Sequence, residues 1–164
     1  MGQQTLFGFP VALPEGWLDQ SVYTFVKPAG ANGEAGAAGG GPVTLQAAGA
    51  GTPAAQRFQP NVVAIRERQA GRDLGAFAQE QRRRMQEKLP AAKLVREGQV
   101  QIGALRGHEQ EYQIALERPL PALVQWHVTL PRDGYFYHFC CSSSQAEFAR
   151  DKAEFQALLG SWAG

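Results

Sequence analysis

The side chains that could carry acid–base, nucleophilic or metal chemistry are few. The chain has three histidines, His108, His127 and His138, and two adjacent cysteines, Cys140 and Cys141. No histidine has a helical partner four residues away, and no group of His, Cys and carboxylate residues has metal-site spacing. His138 and Cys140 would share one strand face, but a cysteine in an aromatic strand is usually part of the core. The pattern predicts no catalytic residue, no metal and no cofactor, and therefore a protein that is not an enzyme.

Other short motifs have structural interpretations. Ser142-Ser143-Ser144 is interpreted as a helix entry, because Ser144 and Glu147 have the spacing of a capping box. The glycines between 30 and 51 follow neither the dinucleotide nor the Walker pattern. Arg82-Arg83-Arg84 is predicted to be a solvated helix face. The 16 Lys and Arg against 15 Asp and Glu give a net charge of +1, which argues against nucleic-acid binding.

The cysteines and the first residues predict a compartment. Neighbouring strand residues point to opposite faces, so Cys140 and Cys141 are predicted to be free thiols of a reducing environment. The segment Met1–Leu6 has no basic and apolar signal pattern and no cysteine for lipidation. No stretch approaches the roughly 18 apolar residues of a membrane span. We therefore expect a cytoplasmic protein with no stable membrane insertion.

The length predicts one domain, residues 1–164. Residues 29–56 are mostly Gly, Ala and Pro with almost no charge, and they would bury too little surface to offset their ordering entropy. We expect this segment to be a mobile loop inserted into the domain.

The order of elements predicts the fold class. One helix is predicted at Leu74–Leu89, with Asp73 as N-cap and Pro90 as the stop, and a second is predicted to begin with the capping box at Ser144. Asp133-Gly134 lies between two alternating runs and predicts a hairpin. The predicted strands are Thr5–Phe9, Ser21–Lys27, Asn61–Glu67, Leu94–Gln101, Arg106–Leu116, Ala122–Leu130 and Tyr135–Cys141. This pattern indicates an α+β fold, an α/β sandwich with a mainly antiparallel, twisted sheet and two main helices.

Several strands are apolar on both faces. In Ala122–Leu130 the even positions form a core face, whereas the odd positions carry Leu123, Gln125, His127 and Thr129. Because charged residues are nearly absent from this second face, something must cover it. Either the two helices cover one face each, or part of the sheet stays open as a semi-apolar groove.

Gln81 interrupts the apolar stripe of the first predicted helix, and Gln125 is central on the second strand face. A buried amide without a partner costs about 1–3 kcal/mol, so Gln81 is either a boundary residue bonded to backbone or a group that meets a ligand. Two amides on an apolar surface could bond the backbone or small polar side chains of a bound helix.

The sequence resembles a known family along most of its length. The opening block Leu13-Pro14-Glu15-Gly16-Trp17-Leu18-Asp19-Gln20-Ser21-Val22-Tyr23-Thr24-Phe25 is similar to that of the effector-associated (Eag) chaperones of bacterial type VI secretion systems. The similarity continues at Val63–Glu67, through Gln81 to Leu89-Pro90, at Glu111–Gln113 and at Val124–Val128. Residues 29–56 look like an insertion.

The resemblance implies a PsbP/Mog1-like fold and a homodimer. It implies binding to the hydrophobic N-terminal transmembrane helices of a PAAR-containing effector and help in loading that effector onto the VgrG spike. Thr24 is less apolar than the family pattern, and Pro121 stands where an apolar strand residue is expected. The resemblance places six residues against the client helix: Val22, Thr24, Val63, Gln81, Leu89 and Gln125. We add Leu123, which lies on the same second face of its strand.

Two alternatives remain at the level of sequence. One is a PsbP/Mog1-like adaptor that binds a folded protein partner. The other is a periplasmic lipoprotein-type homologue, which the absence of a signal pattern and of a lipidation cysteine disfavours.

Overall fold

The computed structural model describes residues 58–116 and 122–164 with their side chains, and the backbone of four short strands at 3–6, 9–12, 18–21 and 24–26. The predicted loop at 29–56 and the predicted binding residue Val22 lie outside these residues, so both stay predictions. The helices are α1 (Leu74–Lys88) and α2 (Phe148–Ala163). The strands of the described part are β1 (Gln3–Leu6), β2 (Phe9–Ala12), β3 (Leu18–Ser21), β4 (Thr24–Val26), β5 (Asn61–Arg68), β6 (Ala92–Ile102), β7 (Leu105–Ile114), β8 (Leu123–Arg132) and β9 (Tyr135–Ser144).

The main sheet of the described residues has seven strands in the order β3-β4-β5-β9-β8-β7-β6, and every pairing is antiparallel. Strands β1 and β2 form a separate antiparallel pair whose backbone contacts α2. The predicted α+β fold with an antiparallel sheet and two helices is confirmed.

The two helices cover opposite faces of the sheet. Phe77 of α1 packs on Phe136, with the ring centroids 4.5 Å apart, whereas Trp162 of α2 packs on Tyr137 at 4.8 Å. Phe136 and Tyr137 are neighbours in β9 and therefore point to opposite sides. We call these sides the α1 face and the α2 face.

The α2 face holds the larger core. From β8 it takes the alternating residues Trp126, Val128 and Leu130, each fully buried, as the even-numbered pattern predicts. The odd-numbered residues Leu123 and His127 lie on the α1 face. Because the alternation is that of a strand between two covered faces, the sheet is a middle layer.

The predicted hairpin at Asp133-Gly134 is confirmed. Arg132 pairs with Tyr135, and the two turn residues have φ values of 50° and 78°. Two consecutive positive φ values match the right-handed twist of the flanking strands, and asparagine, aspartate and glycine tolerate them best.

The predicted capping box at Ser144 is wrong. Ser144 is the last residue of β9, α2 begins at Phe148, and its N-cap Glu147 makes no side-chain capping bond. The serine that does support α2 is Ser143, whose hydroxyl donates to the buried Asp151 carboxylate at 2.6 Å. Strand pairing with β8 holds the serines in the sheet, and a local helix-start motif cannot reveal that long-range pairing.

Three other predictions need correction. Thr5–Phe9, predicted as one strand, spans the end of β1 and the start of β2, which pair with each other. Ser21–Lys27, also predicted as one strand, contains the end of β3 and the whole of β4. Arg82-Arg83-Arg84 was predicted to be a solvated helix face, but each arginine also forms ion pairs. Arg82 pairs with Glu97 and Arg83 with Glu87. Arg84 pairs with both Glu67 and Glu80.

Candidate functional site

A chain of polar side chains runs across the α1 face. Gln125 Nε2 donates to Ser142 Oγ at 3.3 Å, so Gln125 Oε1 accepts from His127 Nε2 at 3.2 Å. His127 Nδ1 then accepts from His138 Nε2 at 3.2 Å, and His138 Nδ1 accepts from the Thr129 hydroxyl at 2.8 Å. With both imidazoles neutral, each of their four nitrogens has a hydrogen-bond partner. The polar residues are therefore compatible with a buried face.

The imidazoles of this polar chain are neutral at pH 7. Burial lowers the pKa of His127 to about 3, with a smaller effect of the neighbouring His138. Burial also lowers the pKa of His138 to about 4, and the positive charge of Arg84 acts in the same direction. Imidazoles with such low pKa values stay uncharged near neutral pH and serve here as hydrogen-bonding groups.

Cys140 lies at the more open end of the polar chain. Its Sγ is 3.4 Å from His127 Nε2 and 3.9 Å from Ser142 Oγ. Burial raises the pKa of this thiol to about 11, and the Ser142 hydrogen bond opposes that effect only in part. Because a thiolate is the reactive form, the site lacks the chemistry of an activated cysteine.

The polar chain ends beside a row of predicted binding residues. Thr24 of β4 pairs with Val63 of β5, and Val63 pairs with Cys140 of β9. Val63 and Gln125 are half-buried. Ile65, two residues after Val63 on the same face, is 42% exposed. The strand register thus brings Thr24, Val63 and Gln125 into one region of the α1 face that α1 does not fully cover.

Ile65 belongs to this open region, although it was not among the predicted binding residues. The sequence signal was present, since Ile65 alternates with Val63 in β5 and must share its face. Exposure could not be predicted, because it depends on how far α1 extends over the sheet. We define the open region by Thr24, Val63, Ile65, Gln125 and Cys140.

Gln81 lies on the sheet-facing side of α1, one turn after Phe77. It is 9% exposed, and its side-chain Nε2 is buried without a hydrogen-bond partner among the residues that the structure describes. Its neighbour Gln110 illustrates the usual outcome, since Gln110 Nε2 donates to the Ala78 carbonyl at 3.1 Å. The sequence left two interpretations of Gln81 open. The first, a boundary residue whose amide bonds to backbone, does not hold for Nε2, because this group donates to no described atom.

Leu89 and Leu123 lie elsewhere on the α1 face. Leu123 is buried in a small apolar cluster with Met85, Tyr112 and Ile114, and the partly buried Leu89 packs against that cluster. These two predicted binding residues fasten the C-terminal end of α1 to the sheet. Leu123 is two residues from Gln125 on the same side of β8, but it is buried under α1, and sequence spacing could not show that burial.

Within the described residues, no three His, Cys, Asp or Glu side chains group closely enough to hold a metal ion. None of the helices described here combines the length and apolarity needed to cross a bilayer. Both cysteines are free thiols, as predicted.

The chain matches no protein-family model and no curated protein. Among solved structures it is similar to PA94 of Pseudomonas aeruginosa, a protein of unknown function proposed as a regulator, with a TM-score of 0.56 and 17% identity over 98% of this chain and 94% of PA94. It is also similar to LpqN of Mycobacterium tuberculosis, involved in cell envelope biogenesis, with a TM-score of 0.54 and 13% identity over 90% of this chain and 78% of LpqN. Identities this low show a shared fold alone.

Proposed function

We propose that this protein is a cytoplasmic chaperone of the Eag type. It would bind the hydrophobic N-terminal transmembrane helices of a PAAR-containing effector and assist loading of that effector onto the VgrG spike. The sequence resemblance supplies the family, its PsbP/Mog1-like fold and its homodimer. The observation that carries the proposal is Gln81, a buried amide donor whose Nε2 has no partner within the described residues.

The physical basis is the exposed surface of a membrane helix in water. Each Å² of apolar surface removed from water is worth about 25 cal/mol, so an uncovered transmembrane helix would aggregate. The open region offers apolar side chains at Val63 and Ile65 together with the Gln125 amide. An amphipathic groove of this kind fits the helix-in-groove mode of recognition.

The amides supply the polar part of recognition. Membrane helices carry stripes of small and weakly polar residues through which they pack on one another in the bilayer. A glutamine can donate to the backbone or to small polar side chains of such a stripe. A client that reaches beneath the edge of α1 would therefore satisfy the orphaned donor of Gln81.

The first test is recovery of the client with a Gln81 variant. The protein is co-expressed with the N-terminal segment of the PAAR-type effector encoded beside it, and the soluble complex is isolated and its Kd measured. We expect Gln81→Ala to weaken binding about fivefold, the effect of one lost hydrogen bond. Gln86→Ala, on the exposed side of the same helix, is the matched control and should bind normally. Equal binding by both variants would remove Gln81 from the site.

The second test places a charge in the open region. We expect Ile65→Asp to weaken client binding more than tenfold, because a carboxylate facing an apolar helix loses its hydration. Val95→Asp is the control, since Val95 is 41% exposed on edge strand β6 and Ile65 is 42% exposed. Val22→Asp is expected to act like Ile65→Asp. Normal binding by Ile65→Asp would contradict the proposed groove.

The same co-expression distinguishes the alternative function. Recovery that requires the apolar helices of the effector supports the chaperone. If the segment aggregates despite co-expression, an adaptor for a folded partner becomes the better interpretation.

Sedimentation equilibrium of the free protein tests the proposed homodimer, and a monomer at all concentrations would contradict it.

A further inference from the structure

The two helices are held on the sheet by very different contacts. Helix α2 buries Phe155, Leu158 and Trp162 completely in the larger core. The buried residues of α1 are Phe77, Ala78, Gln81 and Met85, so one of its central contacts is an amide and another is a methyl group. Apolar burial is the main favourable term in packing, and α1 has much less of it.

The sheet beneath α1 carries the buried polar side chains His127, Thr129 and His138, whereas the larger apolar cluster lies beneath α2. The ring of Phe77 meets the His138 imidazole at a centroid distance of 6.3 Å, and His138 bonds to His127. The Gln81 amide is buried, and no group in the described part of the chain accepts a hydrogen bond from its Nε2. If α1 moved away from the sheet, water would hydrate the imidazoles and accept a hydrogen bond from the Gln81 amide. Both effects lower the free energy of opening.

Ion pairs connect both sides of α1 to neighbouring strands. Arg84 bonds to Glu67 of β5 at 2.9 Å and to Glu80 of its own helix, and Arg72, just before the helix, bonds to Glu80 at 2.8 Å. On the other side Arg82 bonds to Glu97 of β6 at 3.2 Å. The side chains of these pairs are between a quarter and a half exposed, so water and salt weaken them. They orient α1 on the sheet more than they hold it there.

We propose that α1 is a lid that opens from the sheet as a unit while α2 and the central strands stay folded, and that protonation of His127 and His138 favours the open state. The lid exposes the α1 face, including the apolar cluster around Leu123 and Tyr112 that is closed in the structure. The proposal concerns the free protein and does not depend on the proposed client.

The direction of the pH effect follows from the groups that face the imidazoles. Helix α1 contributes the Arg84 cation, β7 contributes the Tyr112 ring 5.1 Å from His127, and β9 contributes the Cys140 thiol. From β5, Glu67 pairs with Arg84, and at the far end of β7 His108 lies 3.7 Å from Glu97.

Carboxylates stay ionised above about pH 5, so between pH 7 and 5 the histidines are the groups that take up protons. A proton binds the hydrated imidazole of the open state more readily than the buried one.

Native-state hydrogen exchange tests the lid in the complete protein, because a 15-residue helix detached from the sheet is only marginally stable in water and its amides exchange. After correction for intrinsic rates, we expect the opening constants of the α1 amides to exceed those of the α2 amides at least tenfold at pH 7. Between pH 7 and 5.5 the α1 opening constants should rise about eightfold for each imidazole exposed. His108→Gln should leave this rise unchanged, since His108 is outside the polar chain.

Gln81→Met tests the contribution of the amide. Methionine keeps the length of the side chain and removes the orphaned donor, so we expect α1 opening to decrease about fivefold or more while α2 exchange changes less. Gln79→Met, on the exposed side of α1, is the matched control. Equal opening constants for α1 and α2, or α1 opening that does not change between pH 7 and 5.5, would overturn the proposal.

Discussion

At the scale of single residues, the central feature is a pair of imidazoles that the fold keeps uncharged. His127 and His138 are both buried, with ring centroids 5.2 Å apart, and their four nitrogens are bonded to one another, to Thr129 and to Gln125. A charge on either ring would be shielded from water, and a proton on His127 Nδ1 would face the Nε2–H of His138 that it accepts in the neutral form. The pair therefore stabilises the folded state only in its neutral form.

We predict that the free energy of unfolding falls as the pH drops below 6.5. The folded pKa values of about 3 and about 4 lie below the unfolded value of 6.5, so the unfolded chain binds protons that the folded chain does not. The stability is fully present above pH 6.5 and decreases by about 1.4 kcal/mol per pH unit for each imidazole as the pH falls toward its folded pKa.

Urea unfolding followed by tryptophan fluorescence at pH 7.5, 6 and 5 measures this dependence. The His108→Gln variant is the control and should keep it. A free energy of unfolding that is constant from pH 7.5 to 5 would show that the two imidazoles are not buried in their neutral form.

At the same scale, the sequence predicted which side of β8 carries Gln125 and His127, because strand alternation is a local property. It also singled out Gln81 as a polar residue within an apolar stripe. It could not predict that Gln81 Nε2 lacks a partner or that the histidines bond to each other, since both facts depend on strands and a helix that are distant in sequence.

At the scale of elements, the β7–β8 pairing requires a residue without a side chain. A Cβ added at Gly107 would lie 2.3 Å from the Thr129 carbonyl oxygen and 2.5 Å from Leu130 Cδ2. The first neighbour is backbone and cannot move aside without breaking the ladder. Gly107 therefore allows two central strands to approach closely.

We predict that Gly107→Ala destabilises the protein by about 3 kcal/mol, the upper end of the usual cost of overpacking a tight core. Gly98→Ala on the neighbouring strand β6 is the matched control, because a Cβ there meets nothing within 4 Å. The control should change the free energy of unfolding by less than about 0.5 kcal/mol. Urea midpoints of the two variants give the comparison, and a similar loss in both would contradict the close approach.

The accuracy of the predicted elements followed how local their signals were. Helix α1 begins after Asp73, whose Oδ1 accepts from the Ala76 amide at 2.7 Å, and ends next to Leu89, as the cap and Pro90 predict. The start of α2 was misplaced because Ser144 is taken up by the sheet. Local motifs identify a helix end only where no long-range pairing competes for the same residues.

At the scale of the whole molecule, the sheet separates two helical layers that differ in apolar burial, which is greater under α2 than under α1. Leu158 of α2 is fully buried in the larger core, whereas Met85 of α1 is 9% exposed at the edge of the smaller cluster. The free energy lost on removal of a buried side chain depends on how completely its surroundings enclose the cavity.

We predict that Leu158→Ala lowers the free energy of unfolding by about 4–5 kcal/mol and Met85→Ala by about 2 kcal/mol. Both values come from denaturant unfolding at pH 7.5, where the imidazoles are neutral in both states. Equal losses would mean that the α1 layer is packed as firmly as the α2 layer, and would also argue against the lid.

The sequence by itself determined the antiparallel α+β class, helix α1, the hairpin at Asp133-Gly134 and the side of β8 that faces the larger core. These features arise from periodicity and turn chemistry within short segments, and among the strands the core-facing side was predicted for β8 alone. Only the tertiary structure decided that Thr24 adjoins Val63, and that Leu89 and Leu123 pack with Met85 instead of lying in the open region. It alone showed the orphaned amide of Gln81 and the joined imidazoles, because register and layer packing bring together residues that no local pattern relates.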